Sequence, residues 1–341
     1  MAEIRMKAKM PQSNQTTSRL EDLLSKHLDG RKCWQARRHL LDTKDLTIAE
    51  IDCALALATE FKKFRSQHLP PLDVLAGQTI ANVFYENSTR TRSSFELAAK
   101  SLGATVLNFD VGTSSVSKGE TILDTARTLA SMDIDCLVQR HSSSGSCHQL
   151  AQILGSELHF VNAGDGWNAH PTQALLDAFS MLEVLGSLKG IKIAIVGDIT
   201  HSRVARSNIW LLQKMGAEVH VAGPTTLIPS GLDKLGVHVH YDLEPAIKNA
   251  DIIMTLRLQL ERQKQGLLPG IGEYKKLYRI DHKCLSLAKP KVRVMHPGPL
   301  NRGIEITSDL ADDVNLSLIE TQVKNGVAVR MAVFYLLLNG N

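Results

Sequence analysis

No apolar run in the chain approaches the roughly 20 residues needed to cross a bilayer, so the sequence offers no candidate for a membrane-spanning helix. Its 5 cysteines, Cys33, Cys53, Cys136, Cys147 and Cys284, are scattered and form no CxxC pair. That spacing argues against a disulfide framework and against a zinc site, and a cytoplasmic enzyme with cysteines as small core fillers fits it. Excess charge is lacking too: 39 basic and 35 acidic side chains leave +4. This balance is too mild for a nucleic-acid partner, yet it permits a locally positive cleft for anionic substrates. The GxGxxG turn of a dinucleotide crevice is missing after the apolar stretch 191–196. Gly197-Asp198 is followed there by Thr200-His201-Ser202-Arg203, which is bulkier than a close pyrophosphate approach permits. No signal-peptide pattern opens the chain, Glu3, Glu21 and Asp22 count against a transit segment, and no internal repeat has a fixed period.

What is present is ordinary for a globular protein: 43% apolar and 22% charged residues in 341. That length favours two domains, each able to bury a core. Residues 1–33 read as a partly disordered extension with a short helix at 20–28, and order is expected to begin near Trp34 with a helix at 48–64. Strand-like pieces at 79–85, 105–109, 136–139 and 158–161 alternate with helices at 91–102, 120–132 and 145–154. Pro171 opens a helix to about Leu185 that bridges to a second unit. There, strands at 191–198, 218–222, 250–255 and 292–295 accompany a helix at 203–215. The expected fold is α/β: two open, largely parallel sheets with helices on both faces. The expected divisions are 34–170, an interdomain helix at 171–186, 187–312, and a closing helix within 313–341. The apolar tail Val333-Phe334-Tyr335-Leu336-Leu337-Leu338 needs cover, and packing back on the first domain supplies it.

Polar clusters fall where such strands end, which is where open α/β sheets bind ligands. The first is Ser88-Thr89-Arg90-Thr91-Arg92, at the change from strand to helix. A helix start offers unpaired N–H groups and the positive end of its dipole, and arginine adds charge-assisted bonds, so this is a candidate oxyanion site. Alone, the segment also reads, less favourably, as a polar helix cap with solvated arginines. Arg90 and Arg92 point to different faces, with Arg90 expected on the ligand and Arg92 bracing the fold. Arg140 and His141 follow the next strand. In Asn162-Ala163-Gly164-Asp165-Gly166-Trp167-Asn168-Ala169-His170-Pro171-Thr172-Gln173, His170 and Gln173 can face one ligand across the first helical turn. His170 either donates to an oxygen that gains charge or helps to cap the helix. Lys118, in the polar loop Ser114-Ser115-Val116-Ser117-Lys118, is either solvated or carried on a moving lid. Arg203 and Arg257 stand ready for two carboxylates of one small substrate, or for peripheral salt bridges.

Together the segments FYENSTRTRSSFE, SVSKGET, NAGDGWNAHPTQALLD, GDITHSR, TLRLQLER and VMHPGPLNRGIE closely resemble the aspartate carbamoyltransferase catalytic-subunit family, over about residues 34–338. The resemblance implies that the first domain binds carbamoyl phosphate and the second L-aspartate, without cofactor or metal. It implies a homotrimer with shared active sites, and it leaves room for a larger assembly with regulatory or pathway proteins. Carried over by position, Ser88, Thr89, Arg90 and Thr91 hold phosphate, and Arg140 contacts phosphate and carbonyl oxygens. His170 and Gln173 serve the carbamoyl end. Ser114 (for carbamoyl phosphate) and Lys118 (for both substrates) arrive from the neighbouring subunit. Arg203, Arg257 and Gln259 bind the aspartate carboxylates, and Gly298 and Pro299 border both substrates. Catalysis is then expected from Arg90, Thr91, Arg140, His170 and Lys118, acting on a tetrahedral intermediate and a departing phosphate. Ser117 stands where a common family form has the first of two adjacent lysines, the second matching Lys118, which bears on loop closure. HPTQ and HPGP replace the HPCQ and HCLP of ornithine carbamoyltransferase, and Arg257 would repel an ornithine side chain. Ornithine carbamoylation and a non-catalytic scaffold are the two rival readings.

Overall fold

The computed structural model describes residues 32–110, 119–259 and 266–339. Its first sheet is built from β1 (His39–Leu40), β2 (Thr79–Phe84), β3 (Thr105–Asp110), β4 (Cys136–His141) and β5 (His159–Asp165). The order is β1-β5-β4-β2-β3, and every pairing is parallel. A parallel strand is covered by helices on both faces and so reads as a continuous apolar run. In β2, Ile80 through Phe84 are all buried. The second sheet comprises β6 (Lys192–Val196), β7 (Glu218–Ala222), β8 (His238–His240), β9 (Ile252–Thr255) and β10 (Arg293–Met295). It is again parallel, in the order β10-β9-β6-β7-β8.

Each sheet reverses its winding beside its first-formed central strand. β2 lies between β3 and β4, and β6 lies between β7 and β9. Such a reversal opens a crevice at the strands' carboxyl ends, because successive connections leave on opposite faces. The helices Thr89–Ser101 and Arg203–Lys214 therefore start at the rims of the two crevices.

The helix Pro171–Leu185 joins the units, opened by Pro171 in its first turn and stopped by Gly186 at φ 75°. The C-terminal helix Ile319–Leu338 returns to the first unit and packs on that helix, on Ile48–Ser66 and on Thr89–Ser101. Every residue from Val327 to Leu338 is buried. Phe334 tilts against Phe95 with ring centroids 5.7 Å apart, and Tyr335 meets Phe61 edge-on at 5.9 Å. A helix this apolar on all sides is a core helix rather than an amphipathic surface one. Among the described residues no helix is long and apolar enough to cross a membrane.

The main strands and helices lie within a few residues of their expected positions. The structure adds the two-residue β1, the histidine-rich β8 and the short helices Leu243–Ile247, Ile271–Tyr278, His282–Leu285 and Ser308–Ala311. The helix expected at 20–28 lies outside the described residues. Cys53, Cys136 and Cys147 are buried, as core fillers would be, whereas Cys33 is exposed.

Candidate active site

Ser88 is the N-cap of Thr89–Ser101, and its side chain accepts no capping bond. The Ser88 hydroxyl is thus not spent on capping, which leaves it and the first-turn N–H groups available to an oxyanion. Thr91 is buried, Arg90 reaches outward, and Arg92 is exposed rather than braced against the fold. The Arg90 guanidinium lies directly over Gly298, so closely that a β-carbon there would overlap it. The first-unit helix start and the second-unit loop after β10 therefore meet at this arginine.

That loop is tied down from within. His296 is buried, its Nδ1 accepts from the Gly298 N–H at 2.8 Å, and its Nε2 lies 3.0 Å from Glu305 Oε1. The same Glu305 oxygen accepts the Asn301 N–H at 2.6 Å. Burial lowers the His296 pKa, Glu305 partly opposes this, and the positive charges of Arg90 and Arg257 add to the lowering. Two arginines from different units thus act on one imidazole. Pro299 is exposed at the loop's outer edge.

A second junction surrounds Glu86. Arg203, buried at the start of its helix, donates from one nitrogen to both Glu86 oxygens, at 3.0 and 2.9 Å. Arg140, in β4, approaches the same carboxylate at 3.5 Å and donates to the Ala163 carbonyl at 3.2 Å. Arg203 also donates to the Gly166 carbonyl at 3.3 Å. Gly164, at φ 114°, leaves the gap through which the arginines approach: a β-carbon there would sit 3.0 Å from Arg203 Nε and 3.1 Å from Arg140. Asp165 holds the loop's shape by accepting from the N–H groups of Gly145 and Ala169 and from the amides of Asn162 and Asn168.

His170 lies beside the second of these junctions. It is buried at the N-terminus of Pro171–Leu185, and its own N–H donates to Ser207 Oγ at 2.9 Å. Burial, then the charges of Arg140, Arg330 and Arg203, holds its pKa well below the usual imidazole range. The ring is therefore neutral near pH 7, and its Nδ1 has no hydrogen-bond partner among the described residues. Gln173, one turn on, donates from Nε2 to Asp177 Oδ1 at 2.9 Å. Arg257 follows β9 and is partly buried, as is Gln259. Ser114 and Lys118 lie outside the described residues.

Of the residues singled out in the sequence, Arg90 and Gly298 thus meet at one junction, and Arg140, Arg203 and His170 at another. Glu86, His296, Glu305 and Asp177 were not singled out. Glu86 stands inside the informative FYENSTRTR segment, but its partner Arg203 is 117 positions away.

Two open parallel sheets, with four arginines and a neutral histidine at their crevices, form an anion-binding cleft suited to group transfer between small charged molecules. The chain belongs to the aspartate/ornithine carbamoyltransferase family. Residues 38–183 match that family's carbamoyl-P binding domain, and residues 189–337 match its Asp/Orn binding domain. It is 52% identical over 304 residues to the aspartate carbamoyltransferase catalytic subunit of Moorella thermoacetica, covering 89% of this chain and 98% of that one. It is 49% identical over 314 residues to the corresponding subunit of Thermosynechococcus vestitus, covering 89% and 95%. Among solved structures, it resembles aspartate transcarbamoylase from Trypanosoma cruzi in complex with carbamoyl phosphate and aspartate. That match has a TM-score of 0.80 and 32% identity, covering 88% of this chain and 97% of that one. Ornithine carbamoyltransferase from Pyrococcus furiosus matches with a TM-score of 0.77 and 31% identity, covering 89% and 98%.

Proposed function

We propose that this chain is an enzyme that transfers the carbamoyl group of carbamoyl phosphate to the α-amine of L-aspartate, yielding N-carbamoyl-L-aspartate and phosphate. The observation that carries the reading is the gathering of Arg140 and Arg203 beside a neutral His170, and of Arg90 and Arg257 beside the His296–Gly298 loop. Such a cleft favours two anions and disfavours the cationic side chain of ornithine. The relatives named for the aspartate reaction support the same choice.

In this reading residues 34–170 bind carbamoyl phosphate, with phosphate on Ser88, Thr89, Arg90 and Thr91. Residues 187–312 bind aspartate through Arg203, Arg257 and Gln259. The neutral aspartate amine attacks the carbamoyl carbon while His170, Arg140 and Thr91 stabilise charge on the carbonyl oxygen. The carbon–oxygen bond to phosphate then breaks, one amine proton passes to the departing phosphate so that it leaves as the hydrogen phosphate dianion, and Arg90 with Lys118 offsets its charge. Holding two small reactants in contact supplies much of the remaining advantage. We place the chain in a homotrimer whose neighbouring subunit delivers Ser114 and Lys118, in the cytoplasm, at the carbamoylation step of pyrimidine synthesis.

The test is transfer from radiolabelled carbamoyl phosphate by the purified chain, with L-aspartate and L-ornithine in parallel. Product with aspartate alone is expected. Product with ornithine alone overturns the substrate choice, and no product from a folded oligomer favours a scaffold.

A further inference from the structure

Asp177 lies on the helix Pro171–Leu185, far enough from its start to have no place among the substrate contacts above. It is buried, and three amide side chains from three helices converge on it. Gln173 donates to Oδ1 at 2.9 Å and Gln322, on the C-terminal helix, donates to the same oxygen at 2.7 Å. Asn208, on Arg203–Lys214, donates to Oδ2 at 2.8 Å. Gln322 then accepts the His296 N–H at 3.1 Å, and His296 holds Gly298. A continuous buried chain of hydrogen bonds thus runs from Gln173 to the loop against which Arg90 rests.

An amide has a donor end and an acceptor end, whereas an ionised carboxylate only accepts. Asp177 therefore fixes which way Gln173 points: the nitrogen is drawn inward and the carbonyl oxygen is turned away from Asp177. Neutral asparagine or threonine at position 177 would not impose that direction, since either can donate as well as accept. We propose that Asp177 is a positioning residue that orients Gln173 as a hydrogen-bond acceptor in the cleft, and thereby selects an acyl phosphate bearing an N–H donor. This inference rests on the reading of Gln173 at the carbamoyl end. The group selected is the carbamoyl NH2; the group rejected is an isosteric methyl, as in acetyl phosphate. A site built to pair a polar group discriminates against the analogue lacking it, because the acceptor is then left unpaired.

The experiment compares kcat/KM for carbamoyl phosphate and for acetyl phosphate, each with saturating L-aspartate, in the full-length chain and in Asp177→Asn. The wild-type chain should prefer carbamoyl phosphate, and in D177N the preference should fall about tenfold, because Gln173 is released to flip. A merely structural role would lower both values by the same factor; an unchanged ratio overturns the proposal while leaving the transferase reading intact. Absence of wild-type transfer to aspartate overturns the transferase reading itself. A second arm needs no variant. The groups facing Asp177 are Gln173, Asn208, Gln322 and the charged Arg330, and burial raises its pKa to about 6 despite them. Titration of the amine cancels in the ratio of the two acyl donors, and each donor's own phosphate ionisation is corrected from its measured pKa, so the wild-type preference should decline below about pH 6. A preference that stays flat from pH 8 to pH 5 overturns the proposal, whether or not D177N folds.

Discussion

Replacing Glu86 by Gln tests whether a first-unit carboxylate holds a second-unit arginine in place. Glu86 accepts from Arg203 at 2.9 and 3.0 Å, and Arg203 is only 5% exposed. Hydrogen bonds to a charged group contribute about 1.5–3 kcal/mol each. Here both distances share one donor nitrogen, so they count as a single bifurcated contact. The Glu86 side chain is 26% exposed, which moves the expected value to the low end. Glutamine keeps one acceptor oxygen, so E86Q should cost about 1–2 kcal/mol. Alanine leaves a buried guanidinium without this partner and should cost about 3 kcal/mol or more. The assay is urea unfolding followed by tryptophan fluorescence and by circular dichroism, whose coincidence establishes two-state behaviour. Aspartate kcat/KM is measured alongside, and an Arg203→Gln cycle isolates the pair. If E86Q and E86A both stay within about 0.5 kcal/mol of wild type, the surface-substitution range, and aspartate kinetics are unchanged, Glu86 does not hold Arg203.

Other outcomes follow from the same geometry. Gly164→Ala should destabilise by about 1–3 kcal/mol, because φ 114° strains any side chain there, and it should raise the KM for aspartate by crowding Arg203; urea unfolding and steady-state kinetics check both. Arg257→Ala should lower kcat/KM for aspartate about 10- to 100-fold with little effect on carbamoyl phosphate binding, whereas Arg90→Ala should impair both, as isothermal titration with each ligand would report. Acid should destabilise the chain through its buried His170 and half-buried His220. His170 is held well below 6.5 and His220 is lowered to about 4, so their stabilising effect is complete above 6.5 and is lost as pH falls and the unfolded chain takes up protons first. Asp177 opposes this: raised to about 6, it favours folding at low pH and loses that contribution as pH rises through its own pKa. Unfolding midpoints at pH 7 and pH 5 measure the sum, and His220→Asn, outside the cleft, should flatten the histidine part.

The large features were legible because they are local. Fully buried parallel strands announce themselves as apolar runs, and Pro171 with Gly186 brackets one helix by backbone chemistry alone. β1 was not legible, since two residues cannot display an alternation. β8 was hidden because His238-Val239-His240 lacks the apolar signal of a strand, although it pairs with β7 as one. The arginines stood out because each lies at a strand's end, as Arg140 and Arg257 do, or in the first turn of the helix that follows one, as Arg90 and Arg203 do. Glu86 and Asp177 did not, because what gives them meaning is a partner from a distant helix. Three amide donors around Asp177 come from positions 173, 208 and 322, and no spacing rule links those numbers.

The returning C-terminal helix also sets an order of events during synthesis. The first unit's sheet and the helix Pro171–Leu185 are complete in the nascent chain while the segment that seals their apolar face is still untranslated. About 130 residues separate Leu185 from Ile319, and at ribosomal speeds their addition takes on the order of ten seconds. Through that interval Phe61, Phe95 and their neighbours lack Phe334 and Tyr335. A chain cut short before Phe334 would therefore carry a finished cleft lining and an unfinished core. Residues 327–338, none of them assigned to the chemistry, are thus the ones that complete the first unit's core.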